Sequence, residues 1–301
     1  MARNPFSTYG RLQALAPAGA GKLFILIPSG SAILPEIQEL FPVDEDGVAR
    51  IYTTLASAAA ACVADRGDVV AVMPGAYTIS TVVSSAIDNW KLIGVGQPGE
   101  AMFTGSAASI LTLTGDGVEV ARLGFTIATT KKAITLTGAD NCNIHDNVFL
   151  SAVGGSASHF IHMLTTACSY NWIHGNKFLT NALGTEQVAV AQTSHITGLG
   201  IGNVIEDNLF MAGRIATDTP AAVTSGVVFA AAADAGNLVR KNSFVEFNGA
   251  TFTAGVDYGT TAVGGSVLCV DNNFQLATTA NAVVNGSNKG NFANNLVSGD
   301  V

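Results

Sequence analysis

The C-terminal half of the chain repeats a short alternation of apolar and polar residues that closes on Asn-x-Phe. In each copy an apolar residue precedes the Asn by three positions, as in Ile144-His145-Asp146-Asn147-Val148-Phe149. The asparagines follow one another at intervals of 29, 32, 34 and 30 residues, with weaker copies before and after. A unit that returns at such a period is typical of a solenoid. The repeated pairs are Asn147 and Phe149, Asn176 and Phe178, Asn208 and Phe210, Asn242 and Phe244, and Asn272 and Phe274.

The alternation within each copy has the period of a β-strand and not that of a helix. If each copy belongs to one coil, successive coils stack at roughly 4.8 Å, and the Phe side chains lie above one another. The Asn side chains then form a ladder of amide hydrogen bonds, and Asn also suits the bend because it tolerates left-handed backbone angles. Loops of different length on one face explain the uneven intervals. The pattern therefore predicts an all-β fold, a right-handed parallel β-helix.

The N-terminal part of the chain has a different pattern. Residues 1–45 carry clusters of Pro, Gly and Ala around one β-like run at 22–27, and they predict an extended arm that packs on a partner. Residues 46–301 are predicted to form the β-helix domain. Within this domain, Thr53 and Thr54 offer an N-cap to an Ala-rich segment, which predicts a short capping helix from Leu55 to Ala64 over the first coil.

The composition of the chain limits the classes of function that it can have. Only 12% of the 301 residues are charged and the mean hydropathy is +0.38, so we expect a large apolar interior and an outer surface partly covered by partners. A net charge of −8 without a basic stripe disfavours nucleic-acid binding. The four cysteines form no CxxC pair and are expected to be free, buried thiols. The sequence shows no signal peptide and no apolar run that would span a bilayer, so we expect neither export by the usual route nor a membrane partner.

One outward row of charged side chains is the candidate for chemistry. It follows the inward apolar position of each copy, and stacking would bring its members into contact. A His, a carboxylate and an Arg in one place can move protons on a sugar chain, and two His with two carboxylates can bind a metal. The alternative is a row of charges that pair along the stack, which we favour; we therefore assign no catalytic, cofactor or metal site. The row consists of His145, His174, Glu206 and Arg240, with Asp146, Asp207 and Lys241 beside it.

The order of motifs resembles a known family. Thr-Thr precedes an Ala-rich helix, and Arg-Gly-Asp-Val-Val, Pro-Gly-x-Tyr, Leu-Ile-Gly-x-Gly and the Asn-x-Phe coils follow. This order, over about residues 50–300, resembles the pectate-lyase-like superfamily of β-helices, and most of all its tailed-bacteriophage versions. The superfamily includes lyases, hydrolases, tailspikes and catalytically silent capsid decoration proteins. The pectin-cleaving branches imply clustered Asp residues or a Gly-His-Gly turn; the nearest match, Ile173-His174-Gly175, lacks the leading Gly and the acidic partners.

The resemblance leads us to expect a non-catalytic virion structural protein, a capsid decoration or cement protein that binds between major capsid proteins. It implies a homotrimer on the capsid exterior, assembled in the host cytoplasm, with residues 1–45 as the capsid-anchoring segment. One alternative is a tailspike-like polysaccharide lyase or glycoside hydrolase that uses His145, His174, Glu206 and Arg240. Another is a carbohydrate-binding adhesin, disfavoured because Trp90 and Trp172 are next to predicted core positions.

Overall fold

A computed structural model describes most of the chain. The described residues are 15, 21–41, 43, 47, 49–105, 107–127, 131–151, 159–164, 167–180, 194–198, 200–212, 223–229, 236–246, 252–257, 267–276, 282–284 and 291–298.

The described part of the chain winds through three parallel sheets of 11, 9 and 8 strands, and eight successive coils each add one strand to every sheet. This architecture is a parallel β-helix, and it confirms the predicted fold class. In spatial order the first sheet contains β2 (Ile51–Tyr52), β1 (Leu23–Leu26), β3 (Val69–Val72), β6 (Lys91–Gly94), β9 (Glu119–Ala121), β12 (Asn143–His145), β15 (Trp172–His174), β18 (Val204–Glu206), β21 (Asn237–Arg240), β24 (Val267–Val270) and β27 (Asn291–Ala293).

The other two sheets continue each coil. The second sheet contains β4 (Gly75–Ile79), β7 (Ala101–Gly105), β10 (Gly124–Ile127), β13 (Val148–Ser151), β16 (Lys177–Thr180), β19 (Leu209–Ala212), β22 (Ser243–Glu246), β25 (Asn273–Gln275) and β28 (Leu296–Ser298). The third sheet contains β5 (Val83–Ser85), β8 (Ser109–Leu113), β11 (Lys132–Leu136), β14 (His159–Met163), β17 (Ser194–Gly198), β20 (Val223–Phe229), β23 (Phe252–Asp257) and β26 (Val283–Val284).

The phenylalanines of the repeat form one stack inside the helix. The ring centroids of Phe149 and Phe178 lie 4.8 Å apart with an angle of 9° between their planes. The same arrangement continues through Phe210, Phe244 and Phe274 at 4.9, 4.6 and 4.7 Å. All five rings are fully buried. Because the spacing of the rings equals the spacing of parallel strands, each coil contributes one ring to a continuous core.

The asparagines of the repeat form a buried ladder beside this stack. The backbone N–H and Nδ2 of Asn176 donate to Oδ1 of Asn208 at 2.9 and 3.1 Å. Nδ2 of Asn176 also donates to the carbonyl of Ile144 on the preceding coil at 2.8 Å. Asn147, Asn208, Asn242 and Asn272 make the same bonds to the next asparagine along the stack.

The left-handed residue of each bend is not the asparagine itself, which corrects part of the sequence argument. It is the residue before, for example Asp146 (φ 54°), Gly175 (φ 63°) and Asp207 (φ 52°). The asparagine follows this bend, and its amide satisfies backbone groups that the bend leaves without a strand partner. Its role is therefore hydrogen bonding and not backbone tolerance.

A second ladder, which the sequence analysis missed, lies at the opposite end of the first-sheet strands. The backbone N–H of Asn171 donates to Oδ1 of Asn203 at 2.9 Å, and that of Asn203 donates to Oδ1 of Asn237 at 2.8 Å. All three residues are buried. The signal was present in the sequence, because each of these asparagines stands two residues before an inward apolar residue of the repeat.

Two helices lie at the N-terminal end of the described part of the chain, α1 (Leu34–Leu40) and α2 (Leu55–Ala61). The first packs on the outer face of the first sheet, where its Ile37 joins Ile25 and Ile27. The second is the predicted capping helix: the backbone N–H of Ser57 donates to Oγ1 of Thr54, its N-cap. The helix ends three residues earlier than predicted, at Ala61. Its buried face packs into the main core at the first coil.

Part of the predicted N-terminal arm belongs to the β-helix. Strand β1 lies between β2 and β3 in the first sheet, and its Phe24 side chain is fully buried in the core. The reason is that the apolar run alternates inward and outward like the other strands, so it completes the first coil. Leu15 packs on the outer face of the same sheet, against Ile93. Residues 1–14 lie outside the described residues.

The four cysteines are buried and form no disulfide, as predicted; they are Cys62, Cys142, Cys168 and Cys269. Burial raises the pKa of Cys142 to about 12, so its thiol stays protonated at neutral pH. Among the described residues, no helix has the length and apolar character needed to cross a bilayer.

Candidate functional site

The four residues of the charged row, His145, His174, Glu206 and Arg240, stand on consecutive strands of the first sheet. Register pairs His145 with His174, His174 with Glu206, and Glu206 with Arg240. Each follows a fully buried inward residue, so the strand alternation directs all four side chains to the outer face. The row therefore forms one continuous surface, as the sequence analysis predicted.

His145 is held between two carboxylates. Its Nε2 lies 3.1 Å from Oε1 of Glu119, and its Nδ1 lies 2.9 Å from Oδ2 of Asp146. These hydrogen bonds, first that of Glu119, raise the pKa of His145. The bond to His145, with a further ion pair from Lys91 at 2.7 Å, lowers the pKa of Glu119 to about 2. The result is a chain of alternating charges, Lys91, Glu119, His145 and Asp146.

His174 behaves in the opposite way although it stacks on His145. The two imidazole centroids are 4.8 Å apart and their planes differ by only 4°. Burial, followed by the positive charge of His145, lowers the pKa of His174. Its Nε2 donates to Oδ1 of Asn143 at 3.0 Å. The stack therefore places an imidazole with a lowered pKa on one with a raised pKa.

Glu206 is the most buried member of the charged row, with a side chain only 7% exposed. Oε2 accepts from Nη2 of Arg240 at 2.8 Å, and Oε1 accepts from Nζ of Lys241 at 3.1 Å. Burial acts to raise the pKa of Glu206, but these two hydrogen bonds outweigh it and the pKa is lowered. Both oxygens of this carboxylate are therefore occupied by cations.

Beside the charged row lies an aromatic patch, formed by Tyr170, Trp172 and His174. The side chain of Trp172 is 45% exposed, and that of Tyr170 is 58% exposed. The Trp172 ring packs on that of His174, with centroids 3.9 Å apart. Both tryptophans are next to core positions, as predicted, but only Trp90 is itself buried, and the exposure of Trp172 corrects the expectation that neither is available for stacking. Trp172 precedes the inward Ile173, so strand alternation turns it outward.

The outer face of the third sheet carries two more histidines that the sequence analysis missed. The rings of His159 and His162 lie 4.9 Å apart. Burial, then the charge of Lys132, lowers the pKa of His162 to about 4, so it is neutral at physiological pH. Nδ1 of His162 is buried without a hydrogen-bond partner among the described residues. The sequence around these two histidines has the pattern of an ordinary strand, so it gives no signal for the pair.

The outer face of the second sheet carries an apolar row, formed by Leu150, Leu179, Met211 and Val245. Register pairs these residues on four consecutive strands. Each alternates with a buried phenylalanine of the core stack, so each side chain points outward, where it remains half-buried. Thr126 precedes this row and Gln275 follows it, so the apolar segment is bounded by polar residues at both ends.

Comparison with known proteins identifies the fold. No family profile and no curated protein sequence matches this chain. Among solved structures, Escherichia coli YbhC matches with a TM-score of 0.60 and 14% identity, over 93% of this chain and 86% of that one. Pectin methylesterase from Aspergillus niger matches with a TM-score of 0.58 and 13% identity, over 95% and 88%. PemA, a pectin methylesterase of Erwinia chrysanthemi, matches with a TM-score of 0.54 and 10% identity, over 90% and 82%.

These similarities show that the chain shares its parallel β-helix with carbohydrate-active enzymes. At such low identities they concern the fold alone, because one fold carries many functions. In the part of the chain that is described, no three His, Cys, Asp or Glu side chains are grouped so as to hold a metal ion. The charged row brings together the residues expected of it, but in pairs that neutralise one another.

Proposed function

We propose that this chain is a non-catalytic structural protein of a bacteriophage virion, a decoration or cement protein that stabilises the head. The single observation that carries the proposal is the apolar row of Leu150, Leu179, Met211 and Val245 on the outer face of the second sheet. A rigid helix with such a row has a ready surface for packing against a capsid protein or against a second copy. The phage assignment itself comes from the resemblance of the motif order.

The chemistry of the charged row supports a structural role. A general acid at neutral pH needs a carboxyl with a raised pKa. Glu119 and Glu206 have lowered pKa values instead, and each is engaged by two cationic partners. Charges arranged in this way stabilise the stack of coils and keep the face hydrated.

Binding to the head would stabilise the particle by mass action, because a ligand of the assembled state shifts the equilibrium toward that state. In this account the protein is a homotrimer on the capsid exterior, located between major capsid proteins. The apolar row would be buried either between copies of the chain or on the capsid. Because β1 belongs to the first sheet, the N-terminal anchoring segment would be limited to the residues before β1.

The experiment uses tailed-phage heads assembled without this protein. Purified protein is mixed with the heads and recovered by sedimentation. Met211→Lys, which places a charge at the centre of the apolar row, is compared with Gln275→Lys, which adds the same charge in the same register at an exposed position. We expect Met211→Lys to lose binding and Gln275→Lys to retain it. Equal binding by both variants, with both folded, would remove the apolar row from the proposal.

A second candidate is a polysaccharide lyase or hydrolase, because the proteins of similar fold are named as pectin methylesterases. It would use the charged row, and Glu206→Gln tests it. Turnover of a polysaccharide by the wild type that disappears in this variant would favour the enzyme. The same preparation is assayed against neutral and uronate polysaccharides.

A further inference from the structure

We propose that the aromatic patch of Tyr170, Trp172 and His174 is a binding site for a neutral glycan. The patch lies on the outer face of the first sheet, away from the apolar row on the second sheet. The proposal therefore stands independently of capsid binding.

Tyr170 adopts a conformation that bulky residues avoid. Its φ is 58°, in the left-handed region where a side chain other than Gly, Asn or Asp is strained. The corresponding residues of the neighbouring coils are Asn141 and Gly202, with φ values of 56° and 67°. Both residue types accept this backbone angle at low cost. Tyr170 thus places an aromatic ring where the fold itself calls for a small residue.

The neighbouring coil leaves room for this ring. A Cβ atom at Gly202 would lie 2.6 Å from Cδ1 of Tyr170 and 2.7 Å from Cε1. The ring therefore lies over the backbone of the next coil, and only glycine permits it. Strain together with a glycine cradle holds an exposed ring in one place, and strain of this kind concentrates at functional sites.

Trp172 supplies the second ring, two residues along the chain. It packs on His174, which is itself held by Asn143 and by its stack on His145. The register neighbours of Trp172 are Asn143 and Val204, both uncharged. Aromatic rings with a fixed orientation offer a flat surface to the C–H face of a sugar, and the Asn143 amide is beside them for a hydroxyl group. The uncharged neighbours of Trp172, together with the carboxylates of Asp146, Glu206 and Asp207 near His174, favour a neutral glycan over a polyuronate.

The test measures binding of cellohexaose, maltohexaose, mannohexaose and a broad array of neutral glycans to the full chain. Trp90 is fully buried and Trp172 is exposed, so protection of tryptophan fluorescence from acrylamide quenching reports the patch. We expect protection by at least one neutral glycan. Trp172→Ala should weaken that binding at least tenfold on the array.

Two variants separate stacking from other causes. Tyr170→Gly removes the ring and the backbone strain together, so it should weaken binding while the urea midpoint is maintained. Leu268→Ala removes an exposed apolar side chain from the same outer face, three coils beyond Trp172, and should leave glycan binding unchanged. Failure of every glycan to bind would overturn the proposal, as would unchanged binding by Trp172→Ala. Loss of head binding or self-association in both Trp172→Ala and Leu268→Ala, without glycan binding, would assign the face to a protein partner instead.

Discussion

The imidazoles of His145 and His174 stack 4.8 Å apart and nearly parallel, yet their pKa values shift in opposite directions. The pKa of His145 is raised because the carboxylates of Glu119 and Asp146 face its two ring nitrogens. The pKa of His174 is lowered because the side chain is partly buried and lies on the His145 ring. The outer face of the first sheet is thus a set of fixed, locally compensated charges.

The first prediction concerns these two histidines. NMR titration should show that His145 titrates above the ordinary pKa of 6.5 and His174 below it. The contribution of charged His145 to stability is fully present below pH 6.5 and is lost as the pH rises through its folded-state pKa. For His174 the sign is reversed: the unfolded state binds more protons, so stability falls as the pH drops below 6.5. Glu119→Gln should lower the pKa of His145, and an unchanged value would refute the assigned cause.

The second prediction concerns acid stability. The pKa of Glu119 is lowered from 4.5 to about 2, so the folded state keeps this carboxylate charged where the unfolded state takes up a proton. Its contribution is present above pH 4.5 and is lost as the pH falls toward 2. Urea unfolding from pH 7 to pH 2.5 should show that Glu119→Gln reduces the acid-dependent loss of stability. The matched control is Glu39→Gln, which makes the same substitution at an exposed position of α1.

The third prediction concerns the asparagine ladder. Asn208→Ala removes the acceptor of the Asn176 backbone N–H and leaves this buried group without a partner. Unsatisfied buried groups cost about 1–3 kcal/mol each, so we expect a loss of about 3 kcal/mol in the free energy of unfolding. The control is Asn273→Ala, because Oδ1 of Asn273 has no hydrogen-bond partner among the described residues. Equal losses in the two variants would mean that the ladder bonds add nothing to stability.

The fourth prediction concerns the N-terminal segment. Deletion of residues 1–45 removes β1, and the edges of β2 and β3 that it joins would be left unpaired. We expect this variant to aggregate or to lose the first coil, seen as reduced β-sheet circular dichroism. Deletion of residues 1–14 keeps β1 and should preserve the spectrum. A soluble, fully folded 1–45 deletion would show that this strand is dispensable.

The sequence was sufficient for the fold because one signal, Asn-x-Phe, recurs on five consecutive coils and stacks only in a parallel β-helix. The register of the charged row followed from the same phrase. The sequence predicted Arg240 and Lys241 beside Glu206, but not Glu119 beside His145 or Lys91 beside Glu119. Glu119 and Lys91 lie one and two coils before the repeats, and coil pairing over such distances has no local signal. The position of β1, between two strands that follow it in the chain, is likewise a tertiary property.

The outward direction of the Trp172 side chain could have been predicted from the sequence, but it was not. Alternation about the buried Ile173 requires both of its neighbours to face outward. The strained backbone of Tyr170 could not be predicted from the sequence. It depends on the bend that precedes the strand and on the glycine of the next coil.

Electron microscopy of tailed-phage heads mixed with the purified protein, with a polysaccharide-cleavage assay on the same preparation, tests the central claim most directly. The structural account predicts ordered density at fixed lattice positions, with the apolar row against a protein surface, and no cleavage. Cleavage of a polysaccharide with no density on the heads would contradict it, and the charged row would then be the place to look for the acid and the base.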